Sequence, residues 1–352
     1  MTKKHNPHCK KCGSDKTNKW GSQLGLKRYF CKECLHSFSI NHRHKKPVFW
    51  IPYVDGIPYR SLGNEHDLTG TQVYRIVKKE MLSLPDNTWL THKYCNRYSG
   101  ILIVDGKFVK VRGFKKKIPF IYAIDYLTHD IVVGILVKSE CYESYRKLFR
   151  LIKTTNYPTR VVCCDDVLFS LEPALNYHYP KAKIQLCQNH YLENIRQKLK
   201  IRTSSDHVNF FKNLKLHAFT EYKNEEQLKA VLRHFIIGSA KKNILRQSIV
   251  MNIWQRRRYL FEYKNILNCP KDTNLIELFN SHLNARLKSI KGFKSLPAAS
   301  MFLNAYMIRR RTKKFTDCEA KFKHLNGKCS LQMSIKKQAN LPELFDKYQL
   351  KM

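Results

Sequence analysis

The chain has 352 residues, of which 43% are hydrophobic, so it can bury one sizeable core with one or two small appended modules and is not a disordered polypeptide. Lysine and arginine number 65 against 27 aspartates and glutamates, which gives a formal net charge of +38. This excess is far beyond what solubility requires and indicates a polyanionic partner.

The basic residues are spread along the whole chain, with denser runs at 107–117, 255–258 and 308–314. Any one run is equally well explained as a solvated charged face, whereas the total excess is not. No stretch approaches the roughly 20 apolar residues of a membrane-spanning helix, and the N-terminus has no apolar signal core. We therefore expect an intracellular protein without a membrane partner, whose cysteines are thiols or metal ligands rather than disulfides.

The first predicted element is a zinc ribbon at residues 1–45. Cys9 and Cys12 form one Cys-x2-Cys pair, and Cys31 and Cys34 form a second. Each pair presents two thiolates from one turn, and four such donors suit tetrahedral Zn2+, so the spacing predicts a structural zinc ion. The alternative, four unrelated thiols, requires a coincidence of spacing.

Residues 46–95 contain two blocks of helical hydrophobic spacing, separated by the break GNEHDLTG at 63–70. This pattern predicts a helix-turn-helix, whose second helix would offer several polar side chains to a DNA major groove. An ordinary helical hairpin is the alternative. The predicted DNA-contacting residues are Thr71, Gln72, Arg75 and Lys78.

From residue 100 the pattern changes to three β-rich runs, followed by a helix, a strand, a helix and another strand. This order predicts an α/β ribonuclease H-like catalytic domain. Its first part would span residues 96–200, an all-helical insertion 201–268, and its last part, with a long amphipathic helix, 269–315. Residues 316–352 are predicted to be a basic C-terminal tail.

Acidic residues fall at three positions that this fold brings together. Asp105 lies in the first strand, Asp165 and Asp166 end the fourth, and the two strands are neighbours in the fold. Glu277 lies on the later helix without a basic partner at i+4, because residue 281 is serine. Each acid alone is readily explained as a capping or solvated carboxylate. Together they suit two Mg2+ or Mn2+ ions, which prefer oxygen ligands and promote in-line phosphoryl displacement.

The chain resembles DDE-type transposases of prokaryotic insertion sequences, in the Mutator-like superfamily, over roughly residues 5–315. The motif VDGK around Asp105 resembles the first-acid motif of that family. The stretch after the second acid resembles the family's helix, proline turn, strand and Cys-x2-His, here Cys187 and His190. The block TNLIELFNSHLNARLKSI around Glu277 resembles the third-acid block.

The resemblance implies an enzyme that binds the terminal inverted repeats of its own element, cuts their 3′ ends with Mg2+ and joins the freed 3′-OH to target double-stranded DNA. The zinc ribbon and helix-turn-helix are similar to modules with which such enzymes hold element ends. The enzyme would act as a homo-oligomer on DNA and would be cytoplasmic and nucleoid-associated in a prokaryote.

Two assignments stay open within the resemblance. In the family, the second acid lies at a set distance before a leucine of the following helix, and counting this distance back from Leu171 favours Asp166. Asp165, by contrast, follows the predicted strand directly. Cys187 and His190 are expected to support the catalytic domain, by contacting DNA or by positioning the acids. A mononuclear zinc site at this pair is the alternative, but no second pair with suitable spacing follows.

Two other functions compete with the transposase. A decayed or domesticated DNA-binding regulator would tolerate loss of the acids, yet every candidate acid is present. A structure-selective nuclease of the same fold, such as a junction resolvase, explains the acids but not a separate sequence-reading N-terminus.

Overall fold

The structure is a computed structural model that describes residues 6–9, 11–23, 26–39, 47–165, 167–221, 224–340, 344–346 and 350. The chain forms two compact units, Met1–Val48 and Phe49–Met352. Within the described ranges, no helix is long and apolar enough to cross a membrane.

The first unit is a three-stranded antiparallel sheet of β1 (Thr17–Gln23), β2 (Leu26–Cys31) and β3 (Ser37–Ser39), in that order. Its small core consists of buried Tyr29 and Phe38 with two cysteines. One Cys-x2-Cys turn precedes β1 and the other connects β2 to β3, so the sheet brings the two turns together.

The second unit begins with four helices, α1 (Trp50–Asp55), α2 (Tyr59–Asn64), α3 (Gly70–Ser83) and α4 (Asn87–Tyr94). The two helices α2 and α3 flank the break that the sequence predicts. Helix α3 buries Val73 and Val77 on one face and starts at a capping box in which Thr69 and Gln72 bond each other's backbone. A Cβ on Gly63 would lie 2.2 Å from the carbonyl oxygen of Leu68, so the tight turn after α2 requires glycine.

A five-stranded sheet forms the centre of the second unit, in the order β6-β5-β4-β7-β8. The strands are β4 (Ile101–Val109), β5 (Ile118–Asp125), β6 (Ile131–Leu136), β7 (Val161–Cys164) and β8 (Lys183–Leu186). β4 pairs with β5 and β5 with β6 in antiparallel fashion, whereas β4, β7 and β8 are parallel. This mixed sheet is consistent with the predicted ribonuclease H-like order.

Helices connect and cover the sheet. The connecting helices are α5 (Tyr142–Thr154), α6 (Leu168–His178) and α7 (Gln188–Lys198). Leu148, Phe149 and Ile152 of α5 are fully buried in the same core as the sheet residues Leu102 and Val162. Burial of such side chains contributes about 1.5–3 kcal/mol each, so this layer is a main source of stability.

Residues 201–268, predicted as an all-helical insertion, contain helices joined by turns in their described part. It contains α8 (Val208–Lys215), a π-helix (Leu216–Glu221), α9 (Glu225–Ile237), α10 (Ile244–Leu260) and a 3-10 helix (Glu262–Lys264). Buried Leu214, Leu232 and Ile253 belong to the same hydrophobic cluster as the sheet. These helices therefore share the core of the second unit.

Two long helices follow, α11 (Asn274–Ile290) and α12 (Leu296–Thr312). Within residues 316–352, predicted as a basic tail, the structure has a 3-10 helix (Ala320–Leu325) and α13 (Ser330–Ser334). The Ser330 and Ser334 hydroxyls donate to the buried carboxylate of Asp130, which fixes α13 to the end of the β5–β6 connection.

Asp130 and Arg311 form an ion pair in the interior, with side chains 0% and 1% exposed and Nη2 2.7 Å from Oδ2. Arg311 also donates to Asn87 Oδ1 at 3.0 Å and to Thr91 Oγ1 at 2.8 Å. One guanidinium thus joins α4, α12 and the sheet, and its donors are satisfied as a buried charge requires.

We expect Asp130→Asn to lower the free energy of unfolding by about 3–5 kcal/mol, because it leaves the buried guanidinium of Arg311 without a counter-charge. Urea denaturation measures this loss. The matched control is Asp55→Asn. Asp55 pairs with Arg309, which lies on α12 like Arg311, but this ion pair is more exposed than the Asp130–Arg311 pair. Its loss should lower the free energy of unfolding by less than about 1 kcal/mol. Equal losses for the two variants would contradict the role given to the buried pair.

Candidate active site

The pairing of β4 with β7 brings the first two predicted acids together. Ile101 pairs with Val161 and Ile103 pairs with Cys163 in a parallel ladder. Continuing this register by two residues places Asp105 level with Asp165, which directly follows β7. Ile103 and Cys163 are paired and point to the same face of the sheet. Each acid lies two residues after one of them, and residues two apart on a strand share a face, so both carboxylates lie on one side of the sheet.

Asp105 is held from the strand and from α11. The Gly106 backbone N–H donates to its Oδ1 at 2.7 Å, and the Asn280 amide donates to its Oδ2. Asn280 is buried and in turn accepts a hydrogen bond from the Tyr122 hydroxyl at 2.8 Å. These bonds fix the carboxylate in one orientation.

No cation pairs with Asp105 among the residues that the structure describes. Burial, and then the charge of Asp165, raise the pKa of Asp105 to about 7, while the Gly106 N–H opposes the shift. Glu277 raises the pKa further. Repulsion among several carboxylates is therefore a property of this edge of the sheet.

His190 lies between the other two acids. Its Nδ1 is 2.7 Å from Asp165 Oδ1, and its Nε2 is 3.5 Å from Glu277 Oε1. The hydrogen bond to Asp165, followed by interaction with Cys187, raises the pKa of His190 to about 11. The imidazole is therefore protonated at neutral pH and links the end of β7 to the first turn of α11.

Cys187 explains the other half of the Cys-x2-His motif. It is buried immediately before α7, and its Sγ accepts a hydrogen bond from the Thr273 backbone N–H at 3.3 Å. Thr273 precedes α11 and donates through its hydroxyl to Asp165 Oδ1 at 3.3 Å. The Cys187 thiol thus holds the residue that immediately precedes α11, the helix that carries Glu277.

Two residues that contact the acids, Asn280 and Thr273, are not among those predicted from the sequence. The signal for Asn280 was its position three residues after Glu277, where both side chains share a helix face. The contact of the Thr273 hydroxyl with Asp165 joins residues that are distant in sequence, so no local pattern predicts it. Asp166, which the helix count favours as the second acid, lies outside the described residues.

Ligand atoms of Asp165, Cys187 and His190 lie within 4.8 Å of one another, which is close enough to hold a cation. In the structure, however, the Cys187 thiol bonds to Thr273 and the imidazole faces two acids. The candidate metal ligands nearest Asp105 are carboxylate oxygens, which suit Mg2+ better than a soft metal ion.

The four N-terminal cysteines converge within the first unit. Cys9 Sγ lies 3.5 Å from Cys34 Sγ, and Cys12 Sγ lies 3.6 Å from Cys31 Sγ. All four sulfur atoms lie within 4.8 Å of one another, which makes the donor set compatible with zinc.

The predicted DNA-contacting residues lie on the outer face of α3. Thr71, Gln72, Arg75 and Lys78 are all exposed. The Gln72 carbonyl oxygen accepts from the Thr69 N–H at 2.8 Å, so this side chain also caps the helix. Gln72 retains only its amide N–H groups for another partner.

We expect Asp105→Asn to stabilise the protein in Mg2+-free buffer at pH 8. The ordinary pKa of an aspartate carboxyl group is 3.8, and the pKa of Asp105 in the folded protein is about 7. Ionisation of Asp105 therefore destabilises the fold increasingly from pH 4 to 7, and this destabilisation is complete above pH 7. The free energy of unfolding should rise by on the order of 2 kcal/mol at pH 8 and by less at pH 5.

Urea denaturation at the two pH values measures this gain. Asp317→Asn, at an exposed aspartate, is the control and should change little at either pH. A loss of stability for Asp105→Asn at pH 8 would show that the carboxylate is not strained by its neighbours.

Comparison with known proteins identifies the family. The model of the Mutator family of transposases matches residues 61–314, which is more than half of the chain. Transposases for insertion sequence element IS256 in transposon Tn4001, from Staphylococcus aureus and from Enterococcus faecalis (strain ATCC 700802 / V583), are each 23% identical over 265 residues. These alignments cover 73% of this chain and 67% of each relative.

Similar solved structures include a Drosophila P element transposase strand transfer complex, with a TM-score of 0.41, 12% identity, and coverage of 75% of this chain and 91% of that chain. A Mos1 transposase paired-end complex with left transposon end has a TM-score of 0.20 and 13% identity, and covers 62% of this chain and 80% of that one. Both similarities are low, and the assignment rests on the family match. The chain belongs to the Mutator family of transposases.

Proposed function

We propose that this transposase cuts DNA at the ends of its own mobile element with Mg2+ or Mn2+ and joins the freed 3′-OH to target DNA. The observation that carries the proposal is the convergence of Asp105, Asp165 and Glu277 at one edge of the sheet, in a chain of net charge +38. The two bacterial relatives are named as transposases for an insertion sequence element, and we assign this chain the same type of substrate.

The donor set fits a pair of hard divalent cations. Asp105, Glu277 and one acid of the pair Asp165–Asp166 would hold them, because their carboxylates gather at one place and Asp105 has no cationic side-chain partner among the described residues. Two bound Mg2+ ions would supply Lewis-acid activation of the attacking oxygen and stabilisation of the leaving oxygen in phosphoryl transfer. No protein nucleophile is then needed.

The chain's own residues prepare this site. Asn280 and the Gly106 N–H hold the Asp105 carboxylate in place with both oxygens hydrogen-bonded. Protonated His190 holds Asp165 and Glu277 near each other without a metal. We assign His190 and Cys187 as positioning residues, since one contacts two of the acids and the other anchors the segment before α11.

The second acid is Asp165 or its neighbour. The β4–β7 register and the contacts with His190 and Thr273 support Asp165. The family's spacing between the second acid and the leucine of the following helix, here Leu171, supports Asp166. Separate substitution of the two aspartates decides between them.

The substrate is double-stranded DNA, comprising the element's inverted repeats and the target. We propose that the exposed face of α3, with Thr71, Gln72, Arg75 and Lys78, contacts the repeats, together with the Cys-x2-Cys module, which would hold one structural Zn2+. Because transposition joins two element ends, we propose a homo-oligomer on DNA. Neutralisation of phosphates by so many cations predicts binding that weakens steeply with salt.

We expect the purified protein with Mg2+ to cleave a plasmid that carries the gene's flanking DNA, and Asp105→Asn and Glu277→Gln to lose at least about 100-fold in rate, because each removes a metal-binding carboxylate. Of Asp165→Asn and Asp166→Asn, the variant of the metal-binding acid should lose as much. Asp317→Asn, at an exposed acid, is the matched control. Gel-based detection of cut and joined products measures the rates.

A gel-shift assay with the same flanking DNA separates binding from chemistry. The acid variants should still bind the ends, whereas Arg75→Ala should bind them more weakly. If the wild-type protein binds the ends but never cuts them in Mg2+ or Mn2+, the enzyme proposal fails and a DNA-binding regulator replaces it. If it cuts branched DNA without joining ends, it is a structure-selective nuclease.

We expect one zinc ion per chain, because four converging thiolates form a complete tetrahedral set. Cys12→Ser should abolish stoichiometric zinc, whereas Cys141→Ser, at a cysteine outside the cluster, should retain it. Elemental analysis of the purified variants measures the content. Zinc-free wild-type protein with an intact first unit would contradict the assignment.

A further inference from the structure

We propose that Glu140 is a fourth carboxylate of the candidate active site and helps Asp105 to hold a divalent cation. This inference rests on the proposed function, since it adds a ligand to the same metal site. Glu140 lies in the connection between β6 and α5, far in sequence from the three acids that the motifs identify.

The position of Glu140 is defined by Gly106, the residue after Asp105. A Cβ built on Gly106 would lie 2.1 Å from Glu140 Oε1, so the carboxylate fills the space that any side chain at this position would need. Glycine in the VDGK motif therefore lets a carboxylate approach the backbone next to Asp105.

Glu140 also interacts electrostatically with Asp165. It is half-buried, and burial followed by the negative charge of Asp165 raises its pKa. Among the described residues it forms no ion pair and no hydrogen bond, although the chain carries 65 lysines and arginines. A half-buried carboxylate that is repelled by the charge of Asp165 is unfavourable on its own, and a divalent cation would relieve this repulsion.

A helix-capping role does not explain Glu140. The N-cap residue of α5 is Cys141, which makes no side-chain capping bond, and the turn is closed instead by the Ser144 hydroxyl bonded to the Ser139 carbonyl at 2.7 Å. The acid that favours the N-terminus of this helix is Glu143, which lies in the first turn and is exposed.

Glu140→Gln and Glu143→Gln form a matched pair of tests in the full-length protein. Electron paramagnetic resonance of free Mn2+ measures binding directly and does not depend on catalysis. We expect Glu140→Gln to weaken Mn2+ binding by about 10-fold or more, Glu143→Gln to bind like wild type, and Asp105→Asn to lose the site. Urea denaturation in metal-free buffer verifies that the variants are folded.

The outcomes separate this inference from the proposed function. If Glu140→Gln binds Mn2+ like wild type while Asp105→Asn does not, Glu140 is not a ligand and the three-acid site stands. If wild-type protein itself binds no Mn2+, the metal site falls and the role of Glu140 falls with it. Unfolding of Glu140→Gln in metal-free buffer would show a structural role instead and would also overturn the inference.

Discussion

The candidate site depends on the parallel pairing of β4 with β7. The two strands are far apart in sequence, and their register sets Asp105 beside the residue that follows Cys164. A slip of one residue would turn one of the acids to the opposite face of the sheet and separate the carboxylates. Consecutive residues at the start of β4 and throughout β7 are buried, so both faces of these strands are packed. A slip would exchange the side chains between the two packed layers and disrupt the fit of each. Packing of the core therefore determines where the chemistry can occur.

Gathering carboxylates at one edge has an electrostatic cost, which the surrounding residues limit without removing. Asn280 and the Gly106 N–H satisfy the oxygens of Asp105, and His190 places one positive charge between Asp165 and Glu277. A strained, negatively charged site is common in enzymes whose function requires a bound ion, and it lowers the stability of the metal-free protein. In a chain of net charge +38, carboxylates gathered in this way suit the divalent metal site that we propose.

The sequence predicted much of this arrangement because its signals are local. The β-rich runs, the Cys-x2-Cys turns and acids at strand ends are all visible within a few residues. Two side chains show what local signals miss. On α11 the apolar residue Leu278 is 53% exposed, while polar Asn280 is buried because it bonds Asp105 and Tyr122. Arg311 belongs to a basic run that suggested a solvated or DNA-binding face, yet it is buried against Asp130. Asn280 and Arg311 have partners that are distant in sequence, which no periodicity reveals.

The central claim is that these carboxylates form one divalent metal site. Anomalous diffraction from crystals of the protein soaked in Mn2+ tests it most directly, because Mn2+ scatters anomalously and replaces Mg2+ at oxygen sites. The account predicts a strong anomalous peak bound by Asp105 and by at least one of Asp165, Asp166 and Glu277. Well-ordered carboxylates at this edge of the sheet without a peak, at Mn2+ concentrations that support DNA cleavage, would contradict it.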